Sequence, residues 1–369
     1  MRIEYDGDPT VEERPRASVV RFDEATPTTR HASDAGCNFD HRVWRYEFPD
    51  SRWFDGLELV ELDPGAYTAV QSHRSDGEPA RERALRVFAG RGVLRTERAD
   101  VDLERFDHVA VPTGAAYQVG NTGTDPLWVG SWYSTGGNDA SAASAASTYD
   151  PGDGTDARTA SERFVTVRAE HGLSIPPGID AATATGALDR DPDSTPEPAV
   201  AAFADVKPKT RLTAPEVGCN ADWLAWMTNF DDLEWISDSS VMKLEPGGYT
   251  SLHTHFDNEG PHEEIYWVMA GDARLVTEYR DVRMGRFDCA FFPTGNPHAV
   301  GNAGTDTLWV AAWGARGGVD GDFDVADLEI SERPGQVAEY ERVMAARKRR
   351  GLSLPPHVEV AVDVEMEDD

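Results

Sequence analysis

Short runs in which hydrophobic and polar residues alternate, separated by Gly, Pro and Asp turns, dominate this chain. In residues 264–268 the large apolar side chains of Ile265 and Trp267 alternate with the other three positions, which places them on one face of an extended segment. Turn-forming segments such as 246–248 and 302–306 separate these runs. The pattern predicts an all-β fold built from short strands.

Two segments instead carry the spacing of amphipathic helices, at about 161–171 and about 335–350. The second has one apolar stripe, formed by Val337, Tyr340, Val343 and Met344. Its last turn is basic, which suits the negative end of a helix dipole. We therefore expect one short helix after each half of the chain.

The chain contains one sequence twice, at an offset near 180 residues. The segments that recur, each with its second copy, are 64–68 (246–250), 105–114 (286–295), 119–129 (300–310) and 172–177 (351–356). We therefore predict two copies of one domain. The predicted divisions are an N-terminal arm at 1–35, a first barrel at 36–133, an insertion, short helix and linker at 134–210, a second barrel at 211–316, and a helix with an acidic tail at 317–369.

Three imidazoles and one carboxylate occur close together in the second half of the chain. His253 and His255 are two positions apart, so their side chains share a face on a strand, whereas on a helix they would point about 200° apart. Imidazole nitrogen and carboxylate oxygen suit Mn, Fe, Ni, Co or Zn. We expect one divalent transition metal inside the second barrel, held by His253, His255, Glu264 and His298.

These residues resemble the two sequence motifs of the cupin superfamily. The first motif, Gly-x5-His-x-His-x3-4-Glu-x6-Gly, is matched at Gly247, His253, His255, Glu264 and Gly271, with a longer gap of eight residues between the second His and the Glu. The second motif, Gly-x5-Pro-x-Gly-x2-His-x3-Asn, is matched at Pro293, Gly295, His298 and Asn302. The resemblance implies two tandem cupin barrels (double-stranded β-helix, or jelly roll), as in the bicupins.

The first half lacks this set of ligands. Gln71, His73 and Tyr117 stand where the second half has its three histidines, and Arg83 or Glu82 corresponds to its carboxylate, depending on a one-residue shift. An amide, one imidazole and a phenol make a poor divalent site. We expect the first barrel to be a metal-free packing partner, and the alternative is an anion pocket formed by Arg83 and Tyr117.

Three further residues of the second half are candidates for catalysis. Tyr266 shares a strand face with Glu264, His262 precedes them in the lengthened spacer, and Arg274 could bind a substrate carboxylate. The plain alternatives are a solvated loop for His262 and a surface position for Arg274. A one-residue register change would make Glu263 the ligand instead of Glu264.

The chain is strongly acidic, with 66 acidic against 35 basic residues and a net charge of −31. The acidic residues are spread over the whole length, which suggests a surface suited to high salt, as in halophilic organisms. Such a surface repels nucleic acid and anionic membranes, and no stretch reaches eighteen apolar residues. Three cysteines without a CxxC pair favour a cytoplasmic protein over a disulfide-bonded one.

We expect a metal-dependent enzyme that acts on a small oxygenated acid or sugar acid, with isomerase-like Lewis-acid chemistry slightly favoured. An Fe(II)-dependent dioxygenase is the alternative enzyme, because the many Trp and Phe residues could line a pocket for an aromatic substrate. A metal-binding or ligand-binding protein without catalytic activity is the alternative of a different class. The expected partners are a small-molecule substrate and further copies of the chain, packed through their barrels.

Overall fold

The computed structural model describes residues 3–5, 16–72, 81–135, 155–176, 196–230, 233, 236–255, 262–316, 329–333 and 335–354. Most of the predicted insertion, most of the predicted linker, the loop at 256–261 and the acidic tail lie outside these residues. Within the described part, strands predominate over helices, and the all-β prediction is confirmed.

The first half holds twelve described strands and one helix. The strands are β1 (Ile3–Tyr5), β2 (Ser18–Val20), β3 (Thr28–Arg30), β4 (His41–Tyr46), β5 (Phe54–Leu62), β6 (Gln71–Ser72), β7 (Arg81–Ala89), β8 (Gly92–Thr96), β9 (Asp100–Leu103), β10 (His108–Val111), β11 (Ala116–Asn121) and β12 (Leu127–Thr135). The helix α1 spans Thr155–Glu170.

The second half repeats this order. Its described strands are β13 (Ala199–Ala201), β14 (Lys209–Arg211), β15 (Trp223–Asn229), β16 (Ile236–Leu244), β17 (His262–Ala270), β18 (Ala273–Thr277), β19 (Asp281–Met284), β20 (Cys289–Phe292), β21 (His298–Asn302) and β22 (Leu308–Arg316). The helix α2 spans Gln336–Arg349, close to the predicted 335–350.

Each barrel consists of a large and a small antiparallel sheet. The first has the strand orders β13-β10-β7-β12-β5-β4-β3 and β6-β11-β8-β9, and the second has β1-β2-β20-β17-β22-β16-β15-β14 and β19-β18-β21. Apolar side chains fill the space between the two sheets of each barrel, for example Leu94 and Val119 in the first and Leu275 and Val300 in the second.

The two halves exchange their first strands. β2, which precedes the first barrel, pairs with β20 of the second barrel, so that Val20 lies opposite Cys289. β13, which precedes the second barrel, pairs with β10 of the first, so that Ala199 lies opposite Ala110. The segment predicted as an N-terminal arm therefore contributes a strand to the distant barrel.

A third core lies between the barrels and contains most of the large aromatic side chains. Trp267 and Trp313 of the second barrel are fully buried there. Phe88 of the first barrel packs against Trp267, with the two ring centroids 5.1 Å apart. The sequence pattern predicts that Ile265 and Trp267 face away from the barrel interior, and in the structure they pack into this interface. The aromatic residues of this core thus join the two barrels.

Both helices cover the small sheets. In α2, Tyr340, Val343 and Met344 pack against Leu252 and Val276 of the second barrel, and in α1 Phe164 packs on the first barrel. Within the described residues, neither helix is both long and apolar enough to span a membrane.

Candidate metal centre

The His253–His255 segment is irregular, and this differs from the strand that its spacing suggests. Only isolated bridges form here, joining Tyr249 to Gly301 and His253 to His298. Strand parity predicts that Tyr249 faces inward with the histidines, but it packs outward in the cluster beneath α2. In a regular strand the side chains of all these residues would alternate between the two faces of the sheet. A segment that is bridged at only two separate residues can depart from that alternation.

A side chain of α2 holds the residue between the two histidines. The Gln336 amide accepts a hydrogen bond from the Thr254 backbone N–H at 3.0 Å and donates one to the Thr254 carbonyl oxygen at 2.6 Å. Because Gln336 lies on the helix outside the sheets, it anchors the Thr254 backbone towards that side. His253 and His255 therefore both reach the interior from one short segment.

Glu264 lies on β17 and points into the barrel together with Tyr266. Its neighbour Glu263 points the opposite way, where its carboxylate accepts hydrogen bonds from the Ser51 hydroxyl and from the backbone N–H groups of Arg52 and Trp53 at 2.9–3.1 Å. Glu264 faces the histidines, and Glu263 connects the two barrels.

His298 begins β21 and lies directly opposite His253, with two backbone hydrogen bonds of 2.9 and 3.0 Å between them. Its ring stacks on Phe292 with centroids 3.9 Å apart and an interplanar angle of 14°. The ring is completely buried, so its orientation is restricted by packing. The predicted turn at residues 293–295 leads the chain into this position.

The four predicted ligand residues come together, with one nitrogen or oxygen atom from each lying within 4.8 Å of the others. Glu264 Oε2 is 2.9 Å from His298 Nε2, 3.0 Å from His255 Nε2 and 3.8 Å from His253 Nε2. Burial alone would raise the pKa of Glu264, but the imidazoles around it outweigh burial and hold this pKa well below its usual range. An ionised carboxylate therefore faces three imidazoles.

The hydrogen bonds around the cluster fit a bound cation. His298 Nδ1 is 2.9 Å from the Asn296 carbonyl oxygen, and His253 Nδ1 is 3.1 Å from that of Ser251. Burial lowers the pKa of His298 to about 4, so the ring is neutral at pH 7 and carries one proton. If Nδ1 donates that proton to the carbonyl, the Nε2 lone pair faces the Glu264 oxygen, and a divalent cation held by both groups would stabilise this contact.

The three predicted catalytic residues have different positions. His262 is buried as the first residue of β17, and its ring stacks on His255 with centroids 4.1 Å apart, so it does not lie in a solvated loop. The Tyr266 ring is buried 5.3 Å from the His298 ring. Arg274 instead lies outside the barrel, where it pairs with Asp281 and donates to the Ser353 hydroxyl.

Arg274 is separated from the cluster because β18 directs Ala273 and Leu275 into the barrel core, and the residue between them therefore points outward. Its side chain is one-third exposed, which is the surface position named as the plain alternative.

The first barrel places a guanidinium group where the second has its cluster. Arg83 lies opposite Val111 and Tyr133 on its two neighbouring strands. Glu264 lies opposite Phe292 and Gly314, which stand at the same points of the repeat. Arg83 therefore corresponds to Glu264. Its guanidinium donates to Gln71, to Tyr117 and, at 2.7 Å, to Ser131. These contacts occupy the groups that the alternative anion pocket would use. His73 lies outside the described residues.

Comparison with known proteins agrees with this architecture. The cupin domain family matches residues 240–313. The dimethylsulfoniopropionate lyase DddQ of Ruegeria pomeroyi is 38% identical over 61 residues, which are 16% of this chain and 28% of the lyase. The chain thus matches less than a third of that relative's length.

Two solved structures are similar over most of the chain. One is the oxalate decarboxylase of Bacillus subtilis, a protein with Mn(II) centres, at 15% identity, a TM-score of 0.53 and coverage of 88% of this chain and 84% of that one. The other is the oxalate decarboxylase of Lactobacillus farciminis in a formate complex, at 15% identity, a TM-score of 0.53 and coverage of 92% and 97%. At this identity the likeness concerns the fold. Residues 240–313 thus match a cupin domain, and the chain as a whole shares the two-barrel fold of these structures.

Proposed function

We propose that the protein is a metal-dependent enzyme whose second barrel binds one divalent transition metal and transforms a small carboxylate by proton transfer. The observation that carries this proposal is the convergence of three imidazole nitrogens and one carboxylate oxygen within 4.8 Å inside a barrel. A cation bound there supplies Lewis-acid stabilisation of negative charge that develops on a substrate oxygen. Mn is favoured over Zn, Fe, Ni and Co by the Mn(II) centres of the Bacillus decarboxylase, which shares the fold.

The chain offers two groups that can hold or move a proton beside the cluster. They are the Tyr266 hydroxyl and the His262 imidazole, both buried and both in ring contact with a histidine of the cluster. The neutral imidazole, or the tyrosine in its phenolate form, can take a proton from the carbon next to a substrate carboxylate. The apolar lining formed by Val268, Phe292 and their neighbours excludes water from the rest of the interior.

Two reactions begin with that proton transfer. In an elimination the C–H electron pair forms a C=C bond, and the bond to a leaving group on the next carbon breaks, with its electron pair leaving on that group. In an isomerisation the proton returns to a neighbouring carbon instead. We favour elimination, because the partial relative is a lyase. A dioxygenase has less support, since the aromatic residues that would recommend it lie between the barrels.

The test is an anaerobic assay of the Mn(II)-loaded protein in high salt. The substrates are small carboxylates with a leaving group on the second carbon, dimethylsulfoniopropionate among them, and matched hydroxy acids. We expect turnover without oxygen, lost in His298→Ala while the circular dichroism spectrum stays unchanged. Strict dependence on dioxygen would contradict proton-transfer chemistry, and metal binding without turnover of any substrate would favour a binding protein.

A further inference from the structure

A buried arginine of the second barrel has no role in the cluster. Arg211 ends β14 opposite Trp223, whose ring packs against the interior core, so the Arg211 side chain lies on the interior face of the sheet. Only 8% of this residue is exposed. Its Nη1 pairs with Glu329 at 3.2 Å, and its Nη2 lies 3.7 Å from the Met227 sulfur, which is a weak acceptor. A guanidinium edge is thus buried against a poor partner.

The repeat shows what fills this place in the first barrel. Arg30 ends β3 opposite His41, as Arg211 ends β14 opposite Trp223, and the two arginines correspond. Arg30 donates two hydrogen bonds to the Glu58 carboxylate, at 2.6 and 3.1 Å. An arginine in this position of the fold can therefore hold a carboxylate by both of its terminal nitrogens.

That carboxylate lies between the arginine and the position of the metal cluster. A Glu58 oxygen is 3.6 Å from the Arg83 guanidinium, and Arg83 corresponds to Glu264. Glu58 thus connects Arg30 to the centre of its barrel. The carboxylate in the first barrel belongs to the chain itself.

The second barrel lacks this internal carboxylate and the ring beside it. Glu58 lies opposite Ser131, and at the same point of the repeat Ser240 lies opposite Ala312, so Ser240 replaces Glu58. Gly314 replaces Tyr133, whose ring packs 4.5 Å from the Arg83 guanidinium. Both replacements shorten side chains that point towards the centre of the barrel, and the arginine is kept.

We propose that Arg211 binds the carboxylate of the substrate, in the place that the Glu58 carboxylate occupies in the first barrel. This rests on the proposed function, because it assigns the recognised end of the substrate of that same site. Ser240 and Gly314 leave room for the substrate, and Arg211 selects a negatively charged group over a neutral one. The substrate class is a small carboxylic acid whose remaining atoms extend towards the cluster.

The test measures binding, separately from turnover. Propionate and its neutral counterpart propionamide are titrated by calorimetry into the Mn(II)-loaded protein, and metal content is determined for every variant. We expect the wild type to bind propionate and not propionamide. Arg211→Gln should weaken propionate binding roughly 10- to 100-fold, as for the loss of a hydrogen-bonded charge partner. Metal content should stay unchanged.

Ser240→Glu provides a second and independent variant. It restores the internal carboxylate of the first barrel, so it should abolish propionate binding while the metal is retained. The matched control is Arg30→Gln, the same substitution at the equivalent position of the first barrel, which should leave propionate affinity unchanged. If Arg211→Gln does not fold, Ser240→Glu decides alone.

The proposal is overturned if the wild type does not bind propionate, if it binds propionamide equally well, or if Ser240→Glu binds propionate normally. Unchanged propionate affinity in a folded Arg211→Gln overturns it as well. Failure of the proposed function has a different signature. In that case the wild type turns over no carboxylate, while Arg211-dependent binding of propionate persists.

Discussion

Glu263 and Glu264 are neighbours on β17, and the structure predicts opposite consequences for their loss. Glu263 joins the barrels and is remote from the histidines, so Glu263→Ala should destabilise the fold and leave metal binding intact. Glu264 faces the three imidazoles, so Glu264→Gln should remove the metal and preserve the contact between the barrels. Each variant is the control for the other.

The size of the first effect follows from the hydrogen bonds. Three donors, from Ser51, Arg52 and Trp53, lose their acceptor in Glu263→Ala, at about 1–1.5 kcal/mol each, or about 3–4 kcal/mol together. Burial raises the pKa of Glu263, so the ionised carboxylate is less favourable in the folded protein than in the unfolded chain, and its removal offsets part of this loss at pH 7. We expect the net loss in the free energy of unfolding to stay below about 3–4 kcal/mol.

Urea denaturation of the metal-free proteins at pH 7, followed by tryptophan fluorescence, measures this loss, because Trp267 and Trp313 are buried between the barrels. Metal affinity is measured by competition with a chelator. Glu264→Gln should weaken it by more than about 100-fold, since even outer-shell substitutions cost 10- to 100-fold. The reasoning is refuted if Glu263→Ala loses the metal at an unchanged urea midpoint, or if Glu264→Gln keeps its metal affinity.

Two further predictions concern the first barrel. Arg83→Leu should lower the free energy of unfolding by about 3–5 kcal/mol, because it leaves buried polar partners such as Tyr117 and Gln71 without their cation. The metal content of this variant should not change. Urea denaturation measures the first effect, and elemental analysis measures the metal content. Burial, and secondarily the nearby charge of Arg86, hold the pKa of His108 well below 6.5. This group therefore contributes stability that is present above pH 6.5 and is lost as the pH falls and the unfolded chain takes up its proton. A His108→Gln variant should lack that part of the pH dependence in the same denaturation assay.

The ligand cluster could be predicted from the sequence because its information is local and redundant. The pair His253 and His255, the carboxylate on an alternating strand and His298 after a Pro-Thr-Gly turn each occur in a recognisable order. The alternation around Glu264 also specified which face of β17 is inward, since a one-residue slip would turn its apolar set towards the wrong side. His262 follows the same parity, but its place in a polar spacer concealed this.

The exchanged strands could not be predicted, because β2 and β13 are three residues long and stand at equivalent points of the repeat. Nothing in so short an apolar segment specifies which of two similar barrel edges it joins.

The role of the aromatic residues was hidden for a related reason. A strand such as β17 is apolar on both faces, and only tertiary packing shows that one face meets the other barrel.

Arg211 and Arg274 show the limit of reasoning from residue type. Both are arginines on strands of the second barrel, and residue type alone gives each the same ability to bind a carboxylate. The informative comparison was between the surroundings of Arg211 and Arg30, where the arginine is kept and the glutamate becomes Ser240. That comparison needs the register of the strands.

The most direct measurement is the metal content of the purified full-length chain after loading with Mn(II) and removal of excess ion. The arrangement of His253, His255, Glu264 and His298 predicts one equivalent per chain, abolished by His253→Ala combined with His255→Ala. Arg83→Leu should still bind one equivalent. Two equivalents in the wild type, or one that survives the double substitution, would contradict a single centre in the second barrel.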